Sequence, residues 1–437
     1  MTSGISFFDD ENIQRLFRRI DLARDEVAGL TAELIRFPTI NPPGDAYEDC
    51  ARFLGERLRE RGAAVEYIRG HGEPDDTDTH PRMNVVARFQ SGKPGPCVHF
   101  NGHIDVVEAG LGWTMPPFDG VIRDGRVYGR GACDMKGGIA AAVIAIEALL
   151  AEGLLERGAI EFSGTVDEES GGFGGVGLLA RKGYFDRSRV DHVIIPEPLN
   201  PDRVCLGHRG VWWAEIEMTG KIGHGAMPFL GVSAIRGVGE FIALLERELL
   251  PQLAARKTRM PCVPAGARFA TLNLNSIHGG QPEPFDGLPA PVVADRCRLV
   301  IDRRYLIEEE PEAVRSEIIA LLERARATQA GLDFSVRDIM SFTPTMTESD
   351  APVVEALDGW IEALFGRKST HVASPGTYDQ KHIARFGSVR DCVAYGPGIL
   401  DLAHQPDEWV GIDDMLTSAK VMAAATLTLL RREEKAS

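Results

Sequence analysis

No stretch of the 437-residue chain stays apolar for long enough to span a bilayer. The longest candidate, "GGIAAAVIAIEALLAEGLL" from Gly137, is interrupted by Glu147 and Glu152 and reads as a buried helix. Nor does the opening "MTSGISFFDDENIQRLFRRI" join a basic segment to an apolar core, so no secretory signal is expected. The seven cysteines (Cys50, Cys97, Cys133, Cys205, Cys262, Cys297 and Cys392) are scattered, and no two form a CxxC pair. That odd, dispersed set speaks against a disulfide framework and predicts reduced thiols in a cytoplasmic protein. Positive charge is also scarce, with 48 Lys and Arg against 64 Asp and Glu, a formal net charge of −16. Nucleic-acid binding needs basic patches, so that class is disfavoured, and with no span the membrane is too. Internal repeats and low-complexity segments are missing as well.

What remains is the composition of an ordinary globular protein. Apolar residues make up 44%, and the 47 glycines and 26 prolines follow no period. The length suffices for two domains with full cores. The first part alternates helices with strands. "NIQRLFRRIDLARDEVAGLTAELIRF" and "EDCARFLGERLRERG" have helical periodicity, while "NVVARF", "CVHFNGHIDVV", "AIEFSGTVDEE" and "HVIIPEP" read as strands. This alternation predicts an α/β domain with a mainly parallel sheet, whose sites gather at the carboxyl ends of the strands. From about residue 209 the order becomes β-α-β-β-α-β, the ferredoxin-like unit. The predicted organisation is a catalytic domain at 1–208 and 342–437, interrupted by an inserted α+β domain at 209–341.

Five stretches carry chemistry. "HFNGHIDVV" puts His103 and Asp105 two positions apart at a strand end, where a continuing strand would point both to one face. "GRGACDMKGG" sets Asp134 in a Gly-rich turn before the buried helix, and "SGTVDEESGG" ends a strand with Asp167, Glu168 and Glu169. "IIPEPLN" holds Glu197 between prolines, and "DLAHQPDEW" places His404 in a loop. Alone, each has an ordinary reading: a helix N-cap for Asp134, a solvated turn for Glu168-Glu169, a stiff loop for Glu197, a surface histidine for His404. Together, two His and several carboxylates at successive strand ends favour a metal site. Nitrogen and oxygen donors without thiolate suit zinc, with manganese or cobalt as alternatives. Five ligands with one bridging carboxylate can hold two ions about 3.5–4 Å apart.

In this order the five stretches resemble the co-catalytic zinc amidohydrolases, the family of acetylornithine deacetylase, succinyl-diaminopimelate desuccinylase, aminoacylase and the glutamate carboxypeptidases. The resemblance covers nearly the whole chain and implies a zinc-peptidase-like catalytic domain with an inserted dimerisation domain. It further implies that His103 and Glu197 bind one metal, Glu169 and His404 the other, with Asp134 bridging. Asp105 would orient His103, and Glu168 would be the general base. In "GKIGHGAMP", His224 matches the histidine that reaches the partner subunit's active site, which implies a homodimer. In "LVIDRRY", Arg304 matches the arginine for the substrate carboxylate, and in "SPGTYD" Gly376 and Thr377 match the loop that binds it.

Two departures stand out. Tyr378 replaces the Ser or Thr of that loop, and after "NSIHGG" the chain reads "QPEPFDGLPAPVVAD" where many members have Asn-x-Val-Pro. The expected activity is hydrolysis of the amide bond of an N-acyl amino acid or close analogue, a small-molecule substrate. A dipeptidase or carboxypeptidase, or a hydrolase of a less usual C–N bond, is the alternative among enzymes. A non-catalytic metal-dependent binding protein on this scaffold should have lost the base or a ligand, and all of them are present.

Overall fold

The structure is a computed structural model and describes residues 10–280 and 291–432. It forms two compact units: one comprises the chain up to Gly207, Thr347–Val372 and the chain from Tyr378, the other His208–Met346 with Ala373–Thr377. The boundaries expected from sequence were 208/209 and 341/342. Residues 281–290, in the stretch that departs from Asn-x-Val-Pro, lie outside the described residues.

In the first unit the strands Ala64–Arg69, Met83–Gln90, Ala159–Thr165, Cys97–His103, His192–Ile195, Cys392–Ala394 and Arg203–His208 lie side by side in that order. The four from Ala159–Thr165 to Cys392–Ala394 run parallel, and antiparallel strands flank them. Strands at the centre of such a sheet are covered on both faces, and Cys97–His103 and Ala159–Thr165 are buried throughout. The helix Gly137–Ala151 is apolar nearly all round and packs against Ile412–Arg431. Its second residue has to be glycine, because a Cβ on Gly138 would lie 1.8 Å from the Pro196 carbonyl oxygen. No helix among the described residues is long and apolar enough to cross a membrane. The first helical stretch breaks at Ala23 into Glu11–Leu22 and Arg24–Ile35.

One face of the two central strands is polar although fully buried. The register sets His99 beside Glu161, Asn101 beside Ser163 and His103 beside Thr165. His99 Nδ1 lies 2.9 Å from Glu161 Oε1, and its Nε2 lies 2.7 Å from Ser163 Oγ. Ser163 donates to Asn101 Oδ1 at 2.7 Å, and Asn101 Nδ2 donates to Asp379 Oδ2 at 2.7 Å. Arg88 and Arg189 close the far end on Glu161 at 3.1 and 2.7 Å. Burial alone would raise the Glu161 carboxyl, but its bonds to His99 and Arg189 outweigh that and hold it at about 2. A polar seam so largely paired is tolerated in a core, and this one runs toward the strand ends that carry His103 and Glu168.

The second unit has the antiparallel strand order Thr271–Gly279, Arg296–Tyr305, Gly210–Thr219, Asp333–Phe342, with helices Ala234–Leu244 and Pro311–Arg326. This is the expected ferredoxin-like succession. Trp212, Ala214, Ile216 and Met218 alternate onto the helix-covered face with Phe241, Ile318 and Leu322. The intervening Glu215 instead meets Arg298 and Arg337 on the open face.

Candidate metal centre

The parallel sheet delivers His103, Glu168, Glu169 and Glu197 to one edge because each lies at or just beyond the carboxyl end of a strand. His103 closes Cys97–His103, Glu168 and Glu169 follow Ala159–Thr165, and Glu197 follows His192–Ile195. Asp134 precedes the helix from Gly137, and the His404 loop turns with φ +63°. His103, Asp134 and Glu169 each offer a ligand atom within 4.8 Å of the others. Asp134 faces both histidines: its Oδ1 is 3.0 Å from His103 Nε2, and its Oδ2 is 3.5 Å from His404 Nε2. His404 Nε2 also lies 3.0 Å from Glu169 Oε1.

Burial makes this carboxylate cluster unfavourable by itself. Glu169 is pushed up to about 7, first by burial and then, against the His404 hydrogen bond, by the charge of Asp134. Glu197 is raised well above the usual carboxylate range by burial and by Asp134. His404 is raised to about 9 by its bond to Glu169, and His103 is raised by Asp105 and Asp134 despite complete burial. The imidazoles thus serve as the cations of a crowded acid cluster, a place that a divalent ion would neutralise better. The donors are nitrogen and carboxylate oxygen only, since nearby Cys133 turns its thiol to the Ile399 carbonyl at 3.2 Å. The residues present therefore fit a borderline divalent cation.

Asp105 acts differently from the strand argument. The strand ends at His103, so the two-residue period does not extend to Asp105. His103 Nδ1 meets the Asp105 backbone carbonyl at 3.0 Å, and the carboxylate is farther away at 3.6 Å. That carboxylate instead accepts the backbone N–H groups of Glu168 and Glu169 at 3.2 and 3.1 Å and the Asn41 amide at 2.9 Å. One residue thus fixes both the His103 ring and the turn bearing the two glutamates. Glu168 and Glu169 sit in a short 3₁₀ turn, not an extended chain, and their carboxylates still part: Glu169 goes to His404, and Glu168 goes to Lys381 Nζ at 2.6 Å. Asp167 turns away, held by Arg82 at 3.2 Å and by the Tyr47 hydroxyl at 3.2 Å.

Several supporting residues went unnoticed in the sequence. Glu408 accepts the N–H groups of Gly131, Cys133 and Asp134 at 3.1, 2.8 and 3.0 Å, which holds the Asp134 loop. Arg130 pairs with Glu408 at 2.6 Å and donates to the His404 carbonyl at 3.3 Å, tying the two loops together. Both residues lie inside the quoted motifs, but only their burial shows that they are more than surface charges. Asp379 ends the quoted "SPGTYD" stretch and Lys381 follows two residues later, and both are likewise buried.

The other expected residues lie in the second unit. His224 pairs as a two-residue strand with Val292–Val293, is exposed, and accepts the Ala226 N–H on Nδ1 at 3.0 Å. Arg304 makes a two-pronged pair with Asp302 at 2.7 and 3.2 Å, as their common face predicts. Gly376 donates its N–H to Ser374 Oγ at 3.2 Å, and Thr377 is half-buried. Tyr378, the departure from the Ser/Thr pattern, belongs to the first unit, where its ring joins the core and its hydroxyl bonds Gln380 at 2.5 Å.

Residues 99–428 match the family described as Peptidase family M20/M25/M40. The chain is 31% identical over 417 residues to the succinyl-diaminopimelate desuccinylase of Methylocella silvestris, covering 92% of this chain and 97% of that one. In structure it resembles human carnosine dipeptidase 1, with a TM-score of 0.72 and 20% identity over 96% and 99% of the two chains. It also resembles the Bacillus subtilis YXEP protein, described as a dinuclear metal binding peptidase, with a TM-score of 0.66 and 15% identity over 94% and 99%. These structural likenesses establish the fold. The chain belongs to Peptidase family M20/M25/M40 and is a metal-dependent hydrolase of amide or peptide C–N bonds.

Proposed function

We propose that this hydrolase removes the acyl group from an N-acyl amino acid or close analogue at a centre of two divalent ions, zinc ahead of cobalt or manganese. His103 and Glu197 would hold one ion, Glu169 and His404 the other, and Asp134 would bridge. The observation that carries the two-ion reading is the Asp134 carboxylate, which turns one oxygen to each histidine. Such ions supply Lewis acidity that makes water a nucleophile near neutral pH. Glu168 takes the proton of the attacking water and passes it to the leaving amine. Arg304, Gly376 and Thr377 would receive the substrate carboxylate.

The acyl substrate class is supported by the relatives named succinyl-diaminopimelate desuccinylase at about 30% identity. A panel of N-acetyl amino acids, N-succinyl amino acids including N-succinyl-diaminopimelate, and dipeptides tests it. Turnover should be highest on an N-acyl amino acid. Hydrolysis of dipeptides with no N-acyl amino acid cleaved would overturn the deacylase reading in favour of a dipeptidase.

We further propose a homodimer formed through the second unit, in which His224 completes the partner subunit's site. With Nδ1 accepting the Ala226 N–H, the neutral ring carries its proton on Nε2 and can donate to a developing oxyanion. Exposed apolar side chains, Ile222, Met227, Phe229 and Leu230, lie near His224 in sequence and give a second copy something to cover. His224→Ala should lower kcat by about 10²–10³-fold, the effect of losing one oxyanion donor. Metal content and fold should not change. Mixing His224→Ala with Glu168→Gln subunits under exchange should recover activity, because one site of the mixed dimer has both groups. Exchange without recovery would rule out the shared site.

A further inference from the structure

Lys381 is the buried cation nearest in role to the chemistry, and no motif assigned it. Its side chain is 1% exposed, and its Nζ donates to Glu168 Oε1 at 2.6 Å. It sits in the first turn of the helix Gln380–Phe386. The residue before that helix, Asp379, gives no side-chain cap to the helix. Its carboxylate instead accepts from Asn101 at 2.7 Å and from Thr165 at 3.2 Å. Asn101 and Thr165 lie on the two strands that end in His103 and lead into Glu168. The helix carrying Lys381 is therefore pinned to the same strand ends that carry the site.

We infer that Lys381 is a positioning residue that clamps one oxygen of Glu168 so that the other stays aimed for proton transfer. The inference rests on the reading of Glu168 as the base. Asp105 fixes the Glu168 backbone N–H, and Lys381 fixes the far end of the side chain, so neither end can swing. A compact ammonium suits this task, since it holds one oxygen without covering the second as a forked guanidinium would. With the clamp gone, nothing holds the side chain of Glu168 in one rotamer, and its carboxylate loses the fixed aim. Misplacing a catalytic group by about 1 Å is enough to slow a reaction about 10²-fold.

The rival role for Lys381 is a counter-charge for the acid cluster, independent of Glu168. A double-mutant comparison on the metal-loaded enzyme separates the two. Lys381→Met should lower kcat by about 10- to 100-fold, leaving KM and metal content as in the wild type. In a Glu168→Gln background the same change should leave the residual kcat where it was, because there is no base left to aim. An equal further loss in that background, a loss of bound metal, or a wild-type kcat for Lys381→Met would overturn the inference. If Lys381→Met does not fold, Lys381→Arg, which displaces the donor, is compared in the same two backgrounds with the same criteria. Glu168→Gln itself keeps the two readings apart. Full activity there removes the base reading and this inference with it, whereas an inactive Glu168→Gln beside a fully active Lys381→Met removes this inference alone.

Discussion

Chelation, or replacement of His103 by alanine, should bring turnover down to background while the fold survives. His103 is buried with its Nδ1 already held by the Asp105 carbonyl, so Nε2 is the nitrogen left for a ligand role. Loss even of a residue that only supports a metal ligand typically lowers metal affinity 10- to 100-fold, and losing the ligand itself should exceed that. His103→Ala would remove the imidazole that pairs with Asp134 and offsets the charge on Glu197, so the acid cluster would be more repulsive and the ion less well held. His404→Ala should act on the other ion. Its side chain is 46% exposed, so water can occupy the vacated position and the effect should be smaller. The measurement is metal per chain by atomic emission, together with activity before and after chelator and after re-addition of zinc, cobalt or manganese. Undiminished metal content in both variants would sink the ligand assignment.

The features legible in the sequence were those set by neighbours in the chain. Strand ends followed by His, Asp or Glu, the Gly-rich turn before an apolar helix, and the β-α-β-β-α-β order are all local patterns. The face-sharing of Asp302 and Arg304 was equally local, and the two side chains do pair. What could not be read depends on contacts across long separations. Lys381 lies 213 residues from Glu168, and Glu408 lies 274 from Asp134. A lysine in "YDQKH" or a glutamate in "QPDEW" looks like a solvated charge until the fold buries it. The polar seam was hidden for a similar reason. "CVHFNGH" reads as a strand with an apolar character, and only the register against "AIEFSGT" supplies His99 and Asn101 with partners. Asp105 does come beside His103, its carboxylate 3.6 Å from Nδ1, but the strand stops at His103, so strand periodicity is not what brings the two together.

Glu168→Gln should leave bound metal at the wild-type level and lower kcat by about 10²–10⁴-fold, the usual contribution of a general base. The amide keeps the size and hydrogen-bonding reach of the carboxylate but cannot take a proton. Two carboxylates beside the centre compete for the role. Asp167 is raised to about 7, chiefly by burial and then by Asp105, which on acidity alone would suit a base working near neutral pH. Geometry speaks against it, because its oxygens are engaged by Arg82 and the Tyr47 hydroxyl. Its backbone is left-handed, with φ +65°, which is what turns the side chain away and brings the next two residues round to the centre. Glu168 has one oxygen on Lys381 and is 12% exposed, so its other oxygen is open to a water or substrate. Asp167→Asn should therefore reduce stability through the Arg82 pair while kcat of the folded enzyme stays within a small factor of wild type. The reverse pattern, full turnover in Glu168→Gln and collapse of kcat in a folded Asp167→Asn, would move the base to Asp167. It would also make the Lys381 pair a structural ion pair.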